Sequence, residues 1–135
     1  MKRYVVDTQC VLWYLAKDRR LPKAARGAFD AASNGRAQIL VPSITIVEAV
    51  FLLQRQRISE TVVKELLLLP EAPDAALCVT SLDMAVARVV HEFGPVAVPE
   101  LADRIIAATA RALNLPLITV DPEIIESGLV NVVGA

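Results

Sequence analysis

The stretch Arg3-Tyr4-Val5-Val6-Asp7-Thr8-Gln9-Cys10-Val11-Leu12-Trp13-Tyr14-Leu15-Ala16-Lys17 changes its period at a single residue. Arg3 to Val6 reads as a short buried strand, whereas Thr8 to Lys17 takes helical spacing with Val11, Leu12, Tyr14 and Leu15 apolar. The break falls at Asp7. Short apolar strands that pass directly into helices imply a parallel sheet covered on both faces.

The alternation continues outward from this unit. Pro22 can occupy the first turn of a second helix through about Ala32, which ends at the stop signal Ser33-Asn34-Gly35 and precedes a strand over Gln38 to Val41. Ser43 or Thr45 caps the next helix, which runs to about Arg57. Ser59-Glu60-Thr61 starts another that carries Leu66 to Leu69 and ends before Pro70, so a helical hairpin lies mid-chain. Leu77 to Thr80 is a strand, Leu82 to Phe93 a helix closed by Gly94-Pro95, and Leu101 to Leu113 a helix ended by Asn114. Leu117 to Val120 is again a strand, Pro122 begins a short helical turn, and Leu129 to Val133 makes the last strand. No repeat, low-complexity tract or linker divides the chain. The expectation is an α/β fold in one domain, residues 1–135, with helices on both faces of a central, mainly parallel sheet.

The chain has 135 residues, 55% of them hydrophobic, which is enough to bury a proper core in one compact domain. Uninterrupted apolar stretches such as Leu66 to Leu69 fall far short of the roughly 20 residues that span a bilayer. The N-terminal Lys2-Arg3 leads into a short apolar segment and then Asp7, too short and too acidic for a secretory signal, so the cytoplasm is the expected location. Cys10 and Cys78 lack a partner at Cys-x-x-Cys spacing and stand in apolar surroundings, where free cysteine behaves as a small hydrophobe. A formal net charge of −1 gives no global attraction to a polyanion. Nucleic-acid contact would need local positive patches or a metal.

Four acids stand out against this pattern. In a parallel sheet, ligands bind beyond the carboxyl ends of the strands, and Asp7 and Asp121 each follow a strand immediately. Both are also ordinary helix N-caps, with Pro122 at the first helical position after Asp121. The two roles are compatible, because one carboxylate oxygen can accept a backbone N–H while the other faces solvent. Glu48 has apolar helical neighbours in Ile44, Phe51 and Leu52 and no basic residue before Arg55. A buried carboxylate there needs a partner, and a cation would serve; at a helix edge it would reach water instead. Asp103 sits in the first turns of its helix, where the dipole favours a negative charge, as it does for Glu100. The small residues within Ile105 to Ala110 would let this helix lie close to a strand and bring Asp103 to the crevice. Converging carboxylates of this kind suggest a hard-cation site.

Val5-Val6-Asp7-Thr8, Ser43-Ile44-Thr45-Ile46-Val47-Glu48, and Ala102-Asp103-Arg104-Ile105-Ile106-Ala107-Ala108-Thr109-Ala110 before Leu117-Ile118-Thr119-Val120-Asp121 together resemble the PIN-domain ribonucleases. Within them, the blocks are most similar to the VapC-type toxins of bacterial and archaeal toxin–antitoxin pairs. The resemblance covers nearly the whole chain through the order and spacing of its blocks, each only moderately specific. It implies a three-layer α/β/α PIN-like domain and a Mg²⁺-dependent, or Mn²⁺-dependent, endoribonuclease. Asp7 and Asp103 would be direct metal ligands, and Glu48 and Asp121 would complete the pocket, partly through water. The resemblance further implies an RNA substrate, a VapB-type antitoxin as partner, and homodimers.

Thr8 and Thr119 adjoin two of the acids, and in similar proteins hydroxyls there orient carboxylates or bound water; the other account is a helix-start or strand-end threonine, the plainer one for Thr119. Arg104 suits a substrate phosphate or a surface pair with Glu100, the second being the ordinary case. Lys17, Arg19, Arg20, Lys23 and Arg26 would contact RNA backbone or simply be solvated. His91, the sole histidine, is given no role. Trp13, Tyr14, Phe51 and the leucines of the mid-chain hairpin read as core; where exposed, they would form a groove for a partner helix, supplied in similar toxins by the antitoxin. No basic or aromatic signature names an RNA target. The alternative is a catalytically silent PIN-like module that binds RNA or protein, against which stand the acids intact at all four positions. A phosphoacceptor receiver domain is a weaker rival, because no lysine follows the Leu117 to Val120 strand.

Overall fold

Val5 and Val6 point to opposite faces of one strand, and both are fully buried. A strand without a solvent face needs a helical layer on each side, and the computed structural model, which describes residues 1–72 and 76–133, supplies both. The elements in chain order are β1 (Lys2–Val6), α1 (Thr8–Leu15), α2 (Lys23–Ser33), β2 (Ala37–Pro42), α3 (Ser43–Gln54), α4 (Glu60–Leu68) and a 3-10 turn over Leu69–Glu71. Then follow β3 (Leu77–Thr80), α5 (Met84–Glu92), α6 (Leu101–Leu113), β4 (Leu117–Ile118), α7 (Pro122–Ser127) and β5 (Val132–Val133).

The five strands are ordered β3-β2-β1-β4-β5, and each neighbouring pair is parallel. Among the described residues, the expected mainly parallel sheet is thus parallel throughout. The chain builds outward from β1 through β2 to β3, then returns to β1's other side to add β4 and β5. Strand order therefore reverses between β1 and β4, which opens a crevice beyond their carboxyl ends.

Alternation along the strands sorts the interior into two cores. Val6, Ile39, Val41 and Ile118 face one of them, with Phe29 of α2 and Leu66 of α4. Val5, Leu40 and Leu117 face the other, with Ile106, Ala107 and Ala110 of α6 and Ile124 of α7. The alanines of α6 let that helix lie against the sheet, as their size predicts. Cys10 and Cys78 are both free, Cys10 buried and Cys78 partly so, and burial followed by the charge of Asp7 pushes the Cys10 thiol up to about 12. Among the described residues, no helix is long and apolar enough to cross a membrane.

Several boundaries differ from the sequence reading. α1 ends at Leu15, because Lys17 takes a positive φ of 56° that turns the chain away. Pro22 precedes α2 as its extended cap residue. Neither Ser43 nor Thr45 caps α3: Pro42 occupies that position, Ser43 Oγ accepts the N–H of Leu82 at 3.2 Å, and Thr45 is fully buried. α5 begins at Met84 and is capped by Asp83. The last two strands contract to two residues each, since Thr119 N–H still reaches Val133 O but the chain then leaves the sheet to start α7. Phe51 lies outside the core, 59% exposed, beside the exposed Val47, and Leu67 and Leu68 of α4 are exposed as well.

Candidate metal centre

Four elements deliver one acid each to the crevice. Asp7 follows β1 and caps α1, its Oδ1 accepting the Thr8 N–H at 2.7 Å. Asp121 caps α7, its Oδ1 accepting the Glu123 and Ile124 N–H groups at 2.8 and 3.4 Å. Asp103 lies in the first turn of α6 and Glu48 in the middle of α3. Asp7, Glu48, Asp103 and Asp121 line one cavity of about 490 Å³. Asp121 stands three residues beyond β4 and not directly after it, because the strand stops at Ile118.

Oxygens of Asp7, Asp103 and Asp121 all lie within 4.8 Å of one another. Glu48 lines the same cavity without joining this cluster and is held instead by Thr8, whose hydroxyl donates to Glu48 Oε1 at 2.5 Å. The Thr45 hydroxyl lies 3.2 Å from that of Thr8. On the other side, the Thr119 hydroxyl donates to Asp7 Oδ2 at 2.6 Å and accepts the Asp121 N–H at 3.0 Å. One threonine thus ties two of the acids together. Both Thr8 and Thr119 serve as elements of the fold and as props for carboxylates.

The electrostatics of the cluster are those of crowded like charges. Asp7, only 5% exposed, is raised above the ordinary carboxylate range chiefly by burial, against which the Thr119 and Thr8 hydrogen bonds pull it down. Asp103 is pushed up to about 8 by burial first, then by the charge of Asp7 and by a hydrogen bond to Asp121 that only its protonated form can donate. Glu100 and Glu123 line the cavity too, so six acids surround it, and no lysine or arginine is among its described lining residues.

An all-oxygen donor set of this charge fits a hard divalent cation. Oxygens that all lie within 4.8 Å of one another are close enough to share one such ion or its coordinated waters. An ion would draw the acids inward or reach one of them through water.

The remaining site candidates separate. Arg104 pairs with neither a free position nor Glu100: its Nε and Nη2 donate to the carbonyls of Val98 and Pro95 at 2.8 and 3.0 Å, fastening the α5–α6 connection to α6. Arg26 donates to Leu21 O, and Arg20 forms an ion pair with Asp18 at 2.7 Å. The basic cluster is therefore partly absorbed by its own connection. Sequence reasoning missed Thr45, whose signal was its place one helical turn before Glu48. It also missed Glu123 as a lining residue, and treated Glu100, one turn before Asp103, only as a charge favourable to the helix dipole.

A family model for the PIN domain matches residues 4–127. No curated protein sequence matches the chain. Among solved structures, the chain is similar to VapBC2 from Rickettsia felis bound to a DNA fragment from their promoter, at 16% identity, TM-score 0.71 and 96% coverage of both chains. It is similar to VapBC-1 from nontypeable Haemophilus influenzae at 17% identity, TM-score 0.68 and 96% coverage of each. A toxin–antitoxin complex from Klebsiella pneumoniae is similar at 23% identity and TM-score 0.60, covering 87% of this chain and 86% of that one.

Proposed function

The chain belongs to the PIN-domain family, and from that premise we propose that it is a Mg²⁺-dependent endoribonuclease acting as the toxin of a type II toxin–antitoxin pair. The observation that carries this reading is the convergence of Asp7, Asp103 and Asp121 at the β1–β4 crevice, within 4.8 Å of one another. PIN domains are generally nucleases, and a carboxylate cluster with several acids still free suits Mg²⁺, which keeps waters and leaves room for a substrate phosphate. When bound, the ion would supply a nucleophilic water and stabilise the departing oxygen.

The chain's own residues set that chemistry up. Asp7 and Asp103 are the proposed direct ligands; Asp121 and Glu48 hold waters at the cavity wall. Thr119 and Thr8 fix the carboxylates of Asp7 and Glu48 so that they do not swing apart under their mutual repulsion. Mn²⁺, with the same preference for oxygen ligands, would substitute. Likeness to chains of VapBC complexes supports a VapB-type antitoxin as the natural inhibitor. The activity is assigned to the cytoplasm, where RNA and antitoxin are made, and to a homodimer.

Purified protein is expected to cleave RNA with Mg²⁺ or Mn²⁺ and to stop on addition of EDTA. Asp7→Asn or Asp103→Asn should each abolish cleavage. Equal cleavage by wild type and both variants would overturn the assignment of the metal centre.

A further inference from the structure

The acidic cavity shares the wall residues Gln9, Leu12 and Leu52 with a second cavity of about 400 Å³ whose lining carries the opposite net charge. We propose that this second cavity seats the RNA strand next to the cleaved bond, with Arg20 and Arg57 holding a phosphate and Trp13 supplying an apolar wall. The identity of the polyanion rests on the nuclease reading above.

The two cavities divide the charge of a chain whose net is only −1. The metal cavity has six acids and no described basic residue on its wall. A bound cation can neutralise the phosphate being cut, but flanking phosphates would still meet that acidic wall, and they need positive partners next to it. The second cavity offers Arg20 and Arg57 against one acid, Asp18.

Both arginines are placed for this. Asp18 binds Arg20 through Nε and Nη2, at 3.1 and 2.7 Å, and the guanidinium lies 5.4 Å from the centroid of the Trp13 ring. The group is thereby held in orientation while donors on a five-donor fork remain. Arg57 stands in the α3–α4 connection, where its backbone N–H is tied to Leu52 O at 2.9 Å after Gln56 takes a positive φ of 57°. Its exposed guanidinium has no protein partner among the described residues.

Trp13 lines the cavity through its ring, because its Nε1 is buried without a hydrogen-bond partner, the one such side-chain atom among the described residues, and has no surface to offer a ligand. Ser59 also lines the cavity; its oxygen accepts the Val62 N–H at 3.4 Å, which leaves its own proton free to donate.

The test uses a short fluorescent single-stranded RNA. With wild-type protein and Mn²⁺, Arg57→Gln and Arg20→Gln should each raise KM for cleavage roughly 5- to 20-fold with kcat within about twofold. Arg88→Gln, which removes the same charge from exposed α5, should change neither. In a second arm, the Asp103→Asn protein binds the RNA without cutting it. Adding Arg57→Gln should then lower the slope of log Kd against log salt by roughly 0.7, the loss of one single-strand phosphate contact.

Failure of wild type to cleave at all would sink the nuclease reading, whereas an arginine-dependent salt slope in the second arm would still support the subsite. Unchanged KM and unchanged slope in both arginine variants would overturn the subsite. So would variants that leave RNA binding intact but release a co-purifying protein partner, because the cavity would then be a protein dock.

Discussion

The hydroxyl of Thr119 donates a 2.6 Å hydrogen bond to Asp7 Oδ2 across 112 residues of chain. It joins the end of β1 to the end of β4, the two strands between which the sheet reverses its order. Through the same oxygen Thr119 accepts the Asp121 N–H, so the position of one proposed ligand is coupled to the backbone that carries another.

Thr119→Val should therefore preserve the packing but leave one Asp7 oxygen without a donor. Loss of such an outer partner typically costs 10- to 100-fold in metal affinity, and calorimetric titration with Mn²⁺ should register a fall of about that size, together with lower kcat. Thr119→Ser should restore both. Wild-type affinity in the valine variant would reduce Thr119 to a residue that merely closes β4.

Asp103→Asn should separate stability from activity. The carboxyl of Asp103 is held up to about 8, above all by burial, so at pH 8 the metal-free fold carries a charge it disfavours. The group is only half-buried, and solvent screens much of the cost. The neutral amide should then stabilise the metal-free protein by roughly 1–2 kcal/mol, raising Tm by about 3–6 °C, while cleavage is lost. A lowered Tm in EDTA would show that the charged form of Asp103 is needed by the fold itself.

The same shift gives a pH dependence. Asp103 has a folded pKa of about 8 against an ordinary value of 3.8. Its contribution to stability is fully present below about pH 4 and is lost as pH rises through 8, because the unfolded chain ionises more easily. Burial gives Asp7 a shift of the same sign. Denaturant midpoints in EDTA should accordingly fall between pH 6 and pH 9. Saturating Mg²⁺ should flatten or reverse that fall, since the cation binds the ionised acids of the folded state. Parallel curves with and without metal would place the ion elsewhere.

Much of this arrangement was legible in the sequence. The change of period at Asp7 and the alternation of short apolar runs with helices are local signals, and they carry the parallel sheet and its two helical layers. The order of the strands is not local: that β4 lies against β1 and not beyond β3 depends on long-range packing. It is this order that makes Asp7 and Asp121 neighbours. Asp103 and Glu48 were legible as acids in unusual places, yet Thr45 was not, because a buried threonine and a capping threonine read alike in a helix-start sequence. Arg104 was misread for a related reason, since its partners are carbonyls, which leave no trace in side-chain patterning.

Phe51 and Phe29 test the reading of the core. Both stand in apolar surroundings in the sequence, but Phe29 is 1% exposed and stacks on Tyr14 with ring centroids 4.0 Å apart, whereas Phe51 is 59% exposed beside Val47. Phe29→Ala should cost about 3–5 kcal/mol, as removal of a buried aromatic does, and lower Tm by more than about 10 °C. Phe51→Ala should lie within about 0.5 kcal/mol, the range of surface changes, when dilute protein is melted alone. A loss at Phe51 that grows with protein concentration would mean that a second copy covers α3, since a partner that binds only the folded chain adds stability by mass action. A large loss independent of concentration would instead return Phe51 to the core and contradict its exposure.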